Sequence, residues 1–343
     1  MPPSTGSIHI SWKIINFLPV GLDGATRKPY WHETRLSSVN CSLCDEDAVL
    51  RQAYSGKHVC ETHLYESVES RVKSRVREDD LLEGDERWVV GLSGGKDSSV
   101  LLDVLARTFD ENPSVEIVAL TLDEGIEGYR DDAIEASRRL TDDLGVRHEV
   151  AEFEDEFGVR VDGAVSEAEG KPCSYCGVFR RTALNRHAEE LGATKLLMGH
   201  NLDDVAGTAL MNFLDGGVDR MARHYRASLS TEETDEFVRR AKPMRDIPEK
   251  EVAVYAQLKS LPVYLEECPN AEGATRRDVH ETLIEFERDR PGTRHSIVSA
   301  YEEIASQLDW NEADVGACDR CGEPTSAEND LCRACSMRSE VAD

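Results

Sequence analysis

Cys173 and Cys176 form the C-x-x-C of KPCSYCG in the middle of the chain, and they are two of ten cysteines in 343 residues. Seven others fall into two sets that are complete without them. Cys41, Cys44, Cys60 and His63 follow C-x2-C-x15-C-x2-H, and Cys318, Cys321, Cys332 and Cys335 follow C-x2-C-x10-C-x2-C. Zinc takes four tetrahedral Cys or His ligands in closed structural sites, so each set has the composition of one such site. His58 competes with His63 for the fourth place, but its spacing from Cys60 is poorer. Subtracting both sets leaves Cys173, Cys176 and Cys268. A C-x-x-C pair in a reducing compartment points to metal or redox chemistry rather than a structural disulfide.

A second constellation is SGGKDSS, residues 93–99. Adjacent glycines let backbone N–H groups turn towards an anion, and a helix N-terminus adds its positive dipole end. Lys96 adds a point charge, while Ser98 and Ser99 add hydroxyl donors. The string is not a Walker A loop, because Lys96 precedes Asp97 and the spacing from Gly91 is one residue short.

These residues need a scaffold, and the central region supplies one. RWVVGL (87–92), VEIVALTL, VRHEVAEF and TKLLMGHN read as strands; helical patterns follow each, the last being DDVAGTALMNFL. Alternating strands and helices imply an α/β fold, a mostly parallel sheet with helices on both faces. Ligands in such sheets sit beyond the carboxyl ends of the strands. The expected organisation is a tail over 1–40, an N-terminal zinc module with a linking helix over 41–83, and a catalytic domain over 84–265. A helical extension over 266–310 and a C-terminal zinc ribbon with its tail over 311–343 complete it. The polar, Arg-rich stretch 216–241 is expected to be a mobile loop.

Further segments narrow the chemistry. LDEGIEGYRD (122–131), CSYCGVFRR (173–181), GHNLDDVAGTALMNFL (199–214) and ECPNA around Cys268 accompany SGGKDSS in one order. The loop resembles that of the ATP-pyrophosphatase (PP-loop) superfamily, whose members adenylate a carbonyl oxygen and release pyrophosphate. From about Cys41 to about Met337 the chain resembles the tRNA 2-thiolation proteins of the TtuA and NcsA type, nearest their wobble-uridine branch. The resemblance implies an adenine-nucleotide-hydrolase-like fold and ATP held by Ser93, Gly94, Gly95, Lys96, Asp97, Ser98 and Ser99. Asp123, Gly199 and His200 would close around the nucleotide, with Asp97 and Asp203 positioning Mg²⁺ or phosphate. Arg180 falls where the thermophile branch has a catalytic lysine. For Cys173, Cys176 and Cys268 two readings stay open: a 4Fe–4S cluster with one open iron, or a persulfide relay. The implied activity is an ATP-dependent tRNA-uridine 2-sulfurtransferase acting at the wobble position, with the T-loop uridine and a non-catalytic RNA scaffold as alternatives. The implied partners are tRNA, a ubiquitin-like sulfur carrier and its E1-like activating enzyme, with a homodimer compatible. Such chains begin just before the first metal set, so the start codon is expected at position 39 and residues 1–38 are expected to be untranslated.

Charge limits how RNA can be held. The chain has 67 acidic against 40 basic residues, a formal net charge of −27. Loose binding to nucleic acid over the whole surface is excluded, so RNA contact needs local basic patches such as 71–77, 180–186, 220–226 and 239–245. Ten lysines among so many carboxylates suit a cytoplasm of very high salt, where self-repulsion is screened within a few ångströms. The apolar piece ISWKIINFLPV is interrupted by Lys13 and Asn16 and lacks a cleavage site, so it is not read as a signal peptide. No run reaches the roughly 20 apolar residues of a membrane span, and the expected location is cytoplasmic.

Overall fold

The computed structural model describes residues 15–16, 32–33, 39–162, 172–218, 220–221, 238–271, 275–308, 315–322, 324–326 and 329–342. Its centre is a parallel sheet of five strands: β1 (Glu86–Gly91), β2 (Val115–Asp123), β3 (Arg147–Glu152), β4 (Lys195–Met198) and β5 (Arg239–Ala241). Their spatial order is β3-β2-β1-β4-β5, and every pairing is parallel.

The unbroken apolar runs follow from burial on both faces, because successive strand side chains point to opposite sides. Trp88, Val90, Ala119 and Leu197 enter one core, while Val89, Val118, Leu120 and Leu196 enter the other. The first core is covered by α1 (Glu61–Glu78), α2 (Lys96–Phe109) and the later helix α7 (Glu249–Leu258). In α1, Leu64, Val68, Val72 and Val76 recur every fourth residue and are all buried, giving one apolar stripe. A third helix, α3 (Arg130–Leu144), packs against β2 and β3. The second core is covered by α4 (Phe153–Phe157) and α5 (Pro172–Glu190). Beside the sheet, α6 (Leu202–Leu214) packs on α8 (Thr275–Asp289) and α9 (Thr293–Ser306). The last helix, α10 (Arg333–Ala342), lies against α5.

Two expectations need correction. The strand read as VRHEVAEF ends at Glu152, and Phe153 instead opens α4. The stretch 216–241 was expected to be a loop throughout, yet Arg239–Ala241 forms β5 beside β4. Its three residues, RRA, are too few and too polar to signal a strand; pairing with β4 supplies what propensity lacks. Residues 222–237 of that stretch lie outside the described residues, as does most of 1–38, where only Ile15–Asn16 and His32–Glu33 are described, as an antiparallel pair. Among the described residues no helix is long and apolar enough to cross a membrane.

Candidate active site

The chain runs from β1 outward to β2 and β3, then returns to place β4 on the other side of β1. That reversal opens a crevice beyond the carboxyl ends of β1 and β4. SGGKDSS leaves β1 at this point and GHNLDD leaves β4. Gly94 has φ +82° and a Cβ there would lie 2.2 Å from the Ala133 carbonyl oxygen. Only glycine fits this turn. Gly199 packs on the opposite side of the loop: its Cβ would sit 2.8 Å from the Ser98 backbone.

The loop is held by its own hydroxyls. The Ser98 hydroxyl accepts from the Ser93 N–H at 3.1 Å and donates to the Gly95 carbonyl at 3.1 Å. Asn201 caps α6 by accepting from the Asp203 and Asp204 N–H groups, and Asp204 completes the capping box by accepting from the Asn201 N–H. Asn201 also donates to Asp97 at 2.9 Å, tying the two crevice walls together. Asp123 accepts from the Gly125 N–H at 2.8 Å and so shapes the turn after β2. His200 stands half-buried between Gly199 and the cap.

A charged cluster lines the crevice. Lys96 contacts Asp97 at 2.9 Å and Glu249 at 2.7 Å. Asp203 accepts from the Glu249 N–H at 2.9 Å and pairs with Arg294 at 2.9 Å. Burial, then the neighbouring Asp97 carboxylate, pushes the Asp204 carboxyl up to about 6. Ligand atoms of Asp203, Glu249 and His280 lie within 4.8 Å of one another. The two carboxylates of this set, though not the His280 imidazole, suit a hard cation such as Mg²⁺. Glu249 and Arg294 were not legible as site residues, because they arrive from α7 and α9, far along the chain.

The three remaining cysteines meet at the same end of the sheet. Cys173 and Cys176 lie in the first turns of α5, and Cys173 donates to the Asn270 carbonyl at 3.1 Å, two residues past Cys268. The segment before Cys268 is stitched to the nucleotide loop by the Tyr264 N–H, which donates to the Gly94 carbonyl at 2.8 Å. Cys173 is exposed, Cys176 buried and Cys268 half-buried. Burial pushes the Cys176 thiol up, partly offset by Arg180, whose guanidinium donates to its sulfur at 3.4 Å. Thiolates around one zinc ion stand about 3.8 Å apart; the terminal sets fall in this range, with Cys44–Cys60 at 3.7 Å and Cys321–Cys332 at 3.6 Å. Among the described residues the central three do not form such a tight set. His63 turns Nδ1 to Cys41, Cys44 and Cys60 at 3.4, 3.5 and 3.1 Å, whereas His58 lies in a short strand outside the set.

One residue that sequence reading passed over links the two halves of the site. Glu124, beside Asp123, is 3% exposed and pairs with Arg130 at 2.6 Å and Arg180 at 2.8 Å. Arg130 in turn donates to the Ser93 carbonyl at 3.1 Å. Burial of a carboxylate between two arginines is a signal only the folded chain carries.

Comparison with known proteins bears on this geometry. A PP-loop domain family matches residues 64–285. The tRNA 2-thiolation protein NcsA of Haloferax volcanii is 48% identical over 321 residues, covering 88% of this chain and 99% of that protein. The chain belongs to the tRNA 2-thiolation family. Cytoplasmic tRNA 2-thiolation protein 1 of Aspergillus niger is 34% identical over 301 residues, 87% of each chain. The solved U34-tRNA thiolase NcsA from Methanococcus maripaludis, described with its 4Fe–4S cluster, matches with TM-score 0.79 and 31% identity. That likeness covers 89% of this chain and 97% of that one.

In this tRNA 2-thiolation chain most arginines of the expected basic patches that fall among the described residues are spent internally, while 222–226 of the patch 220–226 lies outside them. Arg71 pairs with Glu251, Arg75 with Asp246, Arg186 with Glu156 and Arg220 with Asp215. Arg239 donates to the carbonyls of Asp79 and Asp80, and Arg245 pairs with Asp79 and Glu302. In an acid-rich chain, guanidinium groups at element junctions find carboxylates first. Lys73 and Arg77 line a cleft with Thr108 and Phe109, at the end of α2 away from the nucleotide loop. Arg181 reaches solvent at the active end, where partial desolvation by the surrounding atoms, then Arg180 and Arg276, make its charge costly. An anion there would relieve it.

Proposed function

We propose that this protein is a tRNA-uridine 2-sulfurtransferase that uses ATP to replace the C2 oxygen of the wobble uridine with sulfur. The observation that carries the reading is the meeting of the SGGKDSS loop and the three central cysteines at one end of the sheet, tied by Tyr264–Gly94 and by Glu124.

The loop residues Ser93 to Ser99 hold the ATP phosphates, with Asp97 and Asp203 positioning Mg²⁺ and Lys96 exchanging its carboxylate partners for phosphate oxygen. Asp123, Gly199 and His200 close around the nucleotide. The uridine O2 attacks the α-phosphorus, pyrophosphate leaves, and C2 carries an adenylate. Sulfur then attacks C2, the C–O bond breaks, and AMP leaves with the original oxygen. Splitting the displacement into activation and attack lowers each barrier, and holding both partners in one crevice supplies the orientation. In this reading Cys173, Cys176 and Cys268 would hold a 4Fe–4S cluster, which would supply the iron chemistry that binds sulfur beside the activated base. Arg180 neutralises charge beside Cys176, and Arg181 takes a phosphate of the tRNA with the target base unstacked. The two terminal sets hold zinc, and sulfur comes from a ubiquitin-like carrier activated by an E1-like enzyme. The location is cytoplasmic, with a homodimer compatible.

The test is an anaerobic reaction of the iron- and sulfide-reconstituted protein with ATP, unmodified tRNA and sulfide, read by nucleoside mass spectrometry. The expected outcome is 2-thiouridine at the wobble position with one AMP per event, abolished in Cys176→Ser and Cys268→Ser. Sulfur at the T-loop uridine instead, or full activity in Cys268→Ser, overturns the reading.

A further inference from the structure

We propose that Glu124 is a positioning residue for sulfur transfer: it acts through Arg180 and holds that guanidinium over the Cys176 sulfur. The inference rests on the sulfurtransferase reading above. It concerns a carboxylate that no motif reading singled out.

Removing a carboxylate from water is costly unless it is paired and hydrogen-bonded. Glu124 is 3% exposed, and it is paired on both sides, with Arg130 at 2.6 Å and Arg180 at 2.8 Å. The two arginines differ in what else holds them. Arg130 is itself buried and also donates to the backbone carbonyls of Ser93 and Leu122. Arg180 has 47% of its side chain exposed, and its other contact is the Cys176 sulfur at 3.4 Å. Cys176 and Arg180 stand four residues apart on α5, the spacing that brings side chains together on one helix face. Nothing in the helix alone keeps a long, half-exposed guanidinium there rather than in solvent. Glu124 does so, from the turn after β2.

The asymmetry gives a directional consequence. Neutralising Glu124 leaves Arg130 anchored to the Ser93 carbonyl of the nucleotide loop and the Leu122 carbonyl of β2, so ATP binding survives. Arg180 loses its buried counter-charge and leaves the sulfur. The charge-assisted contact is therefore worth more to the sulfur step than to the nucleotide step.

The experiment compares Glu124→Gln, Arg180→Ala and the double variant as full-length protein. ATP affinity is measured by calorimetry, and pyrophosphate release, which reports adenylation, and tRNA thiolation are followed in single turnovers. Glu124→Gln is expected to keep ATP affinity and tRNA-dependent pyrophosphate release while thiolation and AMP release fall about tenfold or more, the scale of a lost charge-assisted bond. Arg180→Ala is expected to fall by a similar factor, the double variant no further, and Glu124→Asp to recover part of the loss. Multiplicative losses in the double variant, or parallel loss of ATP affinity in Glu124→Gln, overturn the proposal. If Glu124→Gln does not fold, Arg180→Ala decides alone, since an exposed side chain is removed: unchanged thiolation then rejects it. Failure of the sulfurtransferase reading is distinguishable, because the unsubstituted protein would itself form no 2-thiouridine.

Discussion

At the scale of single residues, the crevice depends on a close approach that only Gly199 permits. Its missing side chain lets β4 pass within van der Waals reach of the Ser98 backbone. Because the clash is with backbone, Gly199→Ala has no flexible neighbour to displace. The expected cost is about 1–3 kcal/mol of stability, as for other overpacked sites, with weakened ATP binding. A urea midpoint and an ATP titration check both; an unchanged midpoint would mean the two walls can separate freely. Asn201 is the other small side chain with several duties, capping α6 and bridging to Asp97. Asn201→Ala is expected to cost about 1–2 kcal/mol, the upper range for a lost cap, and to free the Asp97 carboxylate. An unfolding midpoint equal to that of the unsubstituted protein would show that neither the cap nor the bridge matters.

At the scale of elements, α5 carries the thiol pair and is backed by the C-terminal unit. Cys318, Cys332, Cys335 and Met337 share one core with Tyr175, Cys176 and Phe179. The Tyr175 hydroxyl donates to Glu340 at 2.7 Å, joining the C-x-x-C turn to α10. The C-terminal cysteine set is thus a wall of the site rather than a distant appendage. Glu340→Gln is expected to cost about 1 kcal/mol and to raise hydrogen exchange across 173–180, without affecting α1. If Cys318, Cys321, Cys332 and Cys335 hold zinc as proposed, chelating it should produce a larger change in the same peptides. Exchange confined to 315–342 would show the two units to be uncoupled.

At the scale of the whole molecule, a net charge of −27 sets the conditions of stability. Self-repulsion falls as the Debye length shrinks to about 3 Å in molar salt. Paired arginines at element junctions resist part of that repulsion, but the exposed carboxylates remain. The melting temperature is expected to rise steeply between 0.1 and about 2 M KCl; a flat profile would remove the argument for a high-salt cytoplasm. RNA contact must then rely on bound phosphate at groups such as Arg181, which has no ion pair among the described residues, so tRNA affinity is expected to fall only weakly with Arg71→Ala or Arg75→Ala. A large effect of either would mean their ion pairs open on binding.

Much of this was legible along the chain. The strand–helix alternation, the SGGKDSS loop and the two terminal cysteine sets were, because each is a local pattern with a local cause: periodicity, turn chemistry or ligand spacing. So were Cys173, Cys176 and Cys268 as a group, by subtraction. Other features required the tertiary structure. β5 exists because β4 offers an edge, not because RRA prefers a strand. Glu124 matters because folding buries it between arginines six and 56 residues away, from α3 and α5. The basic patches lost their arginines to carboxylates that lie up to 180 residues distant. Pattern along a chain reports what neighbouring residues do to one another. Which charges meet, and which are left to hold a ligand, is decided only when distant segments are brought within a few ångströms in a medium that penalises unpaired charge.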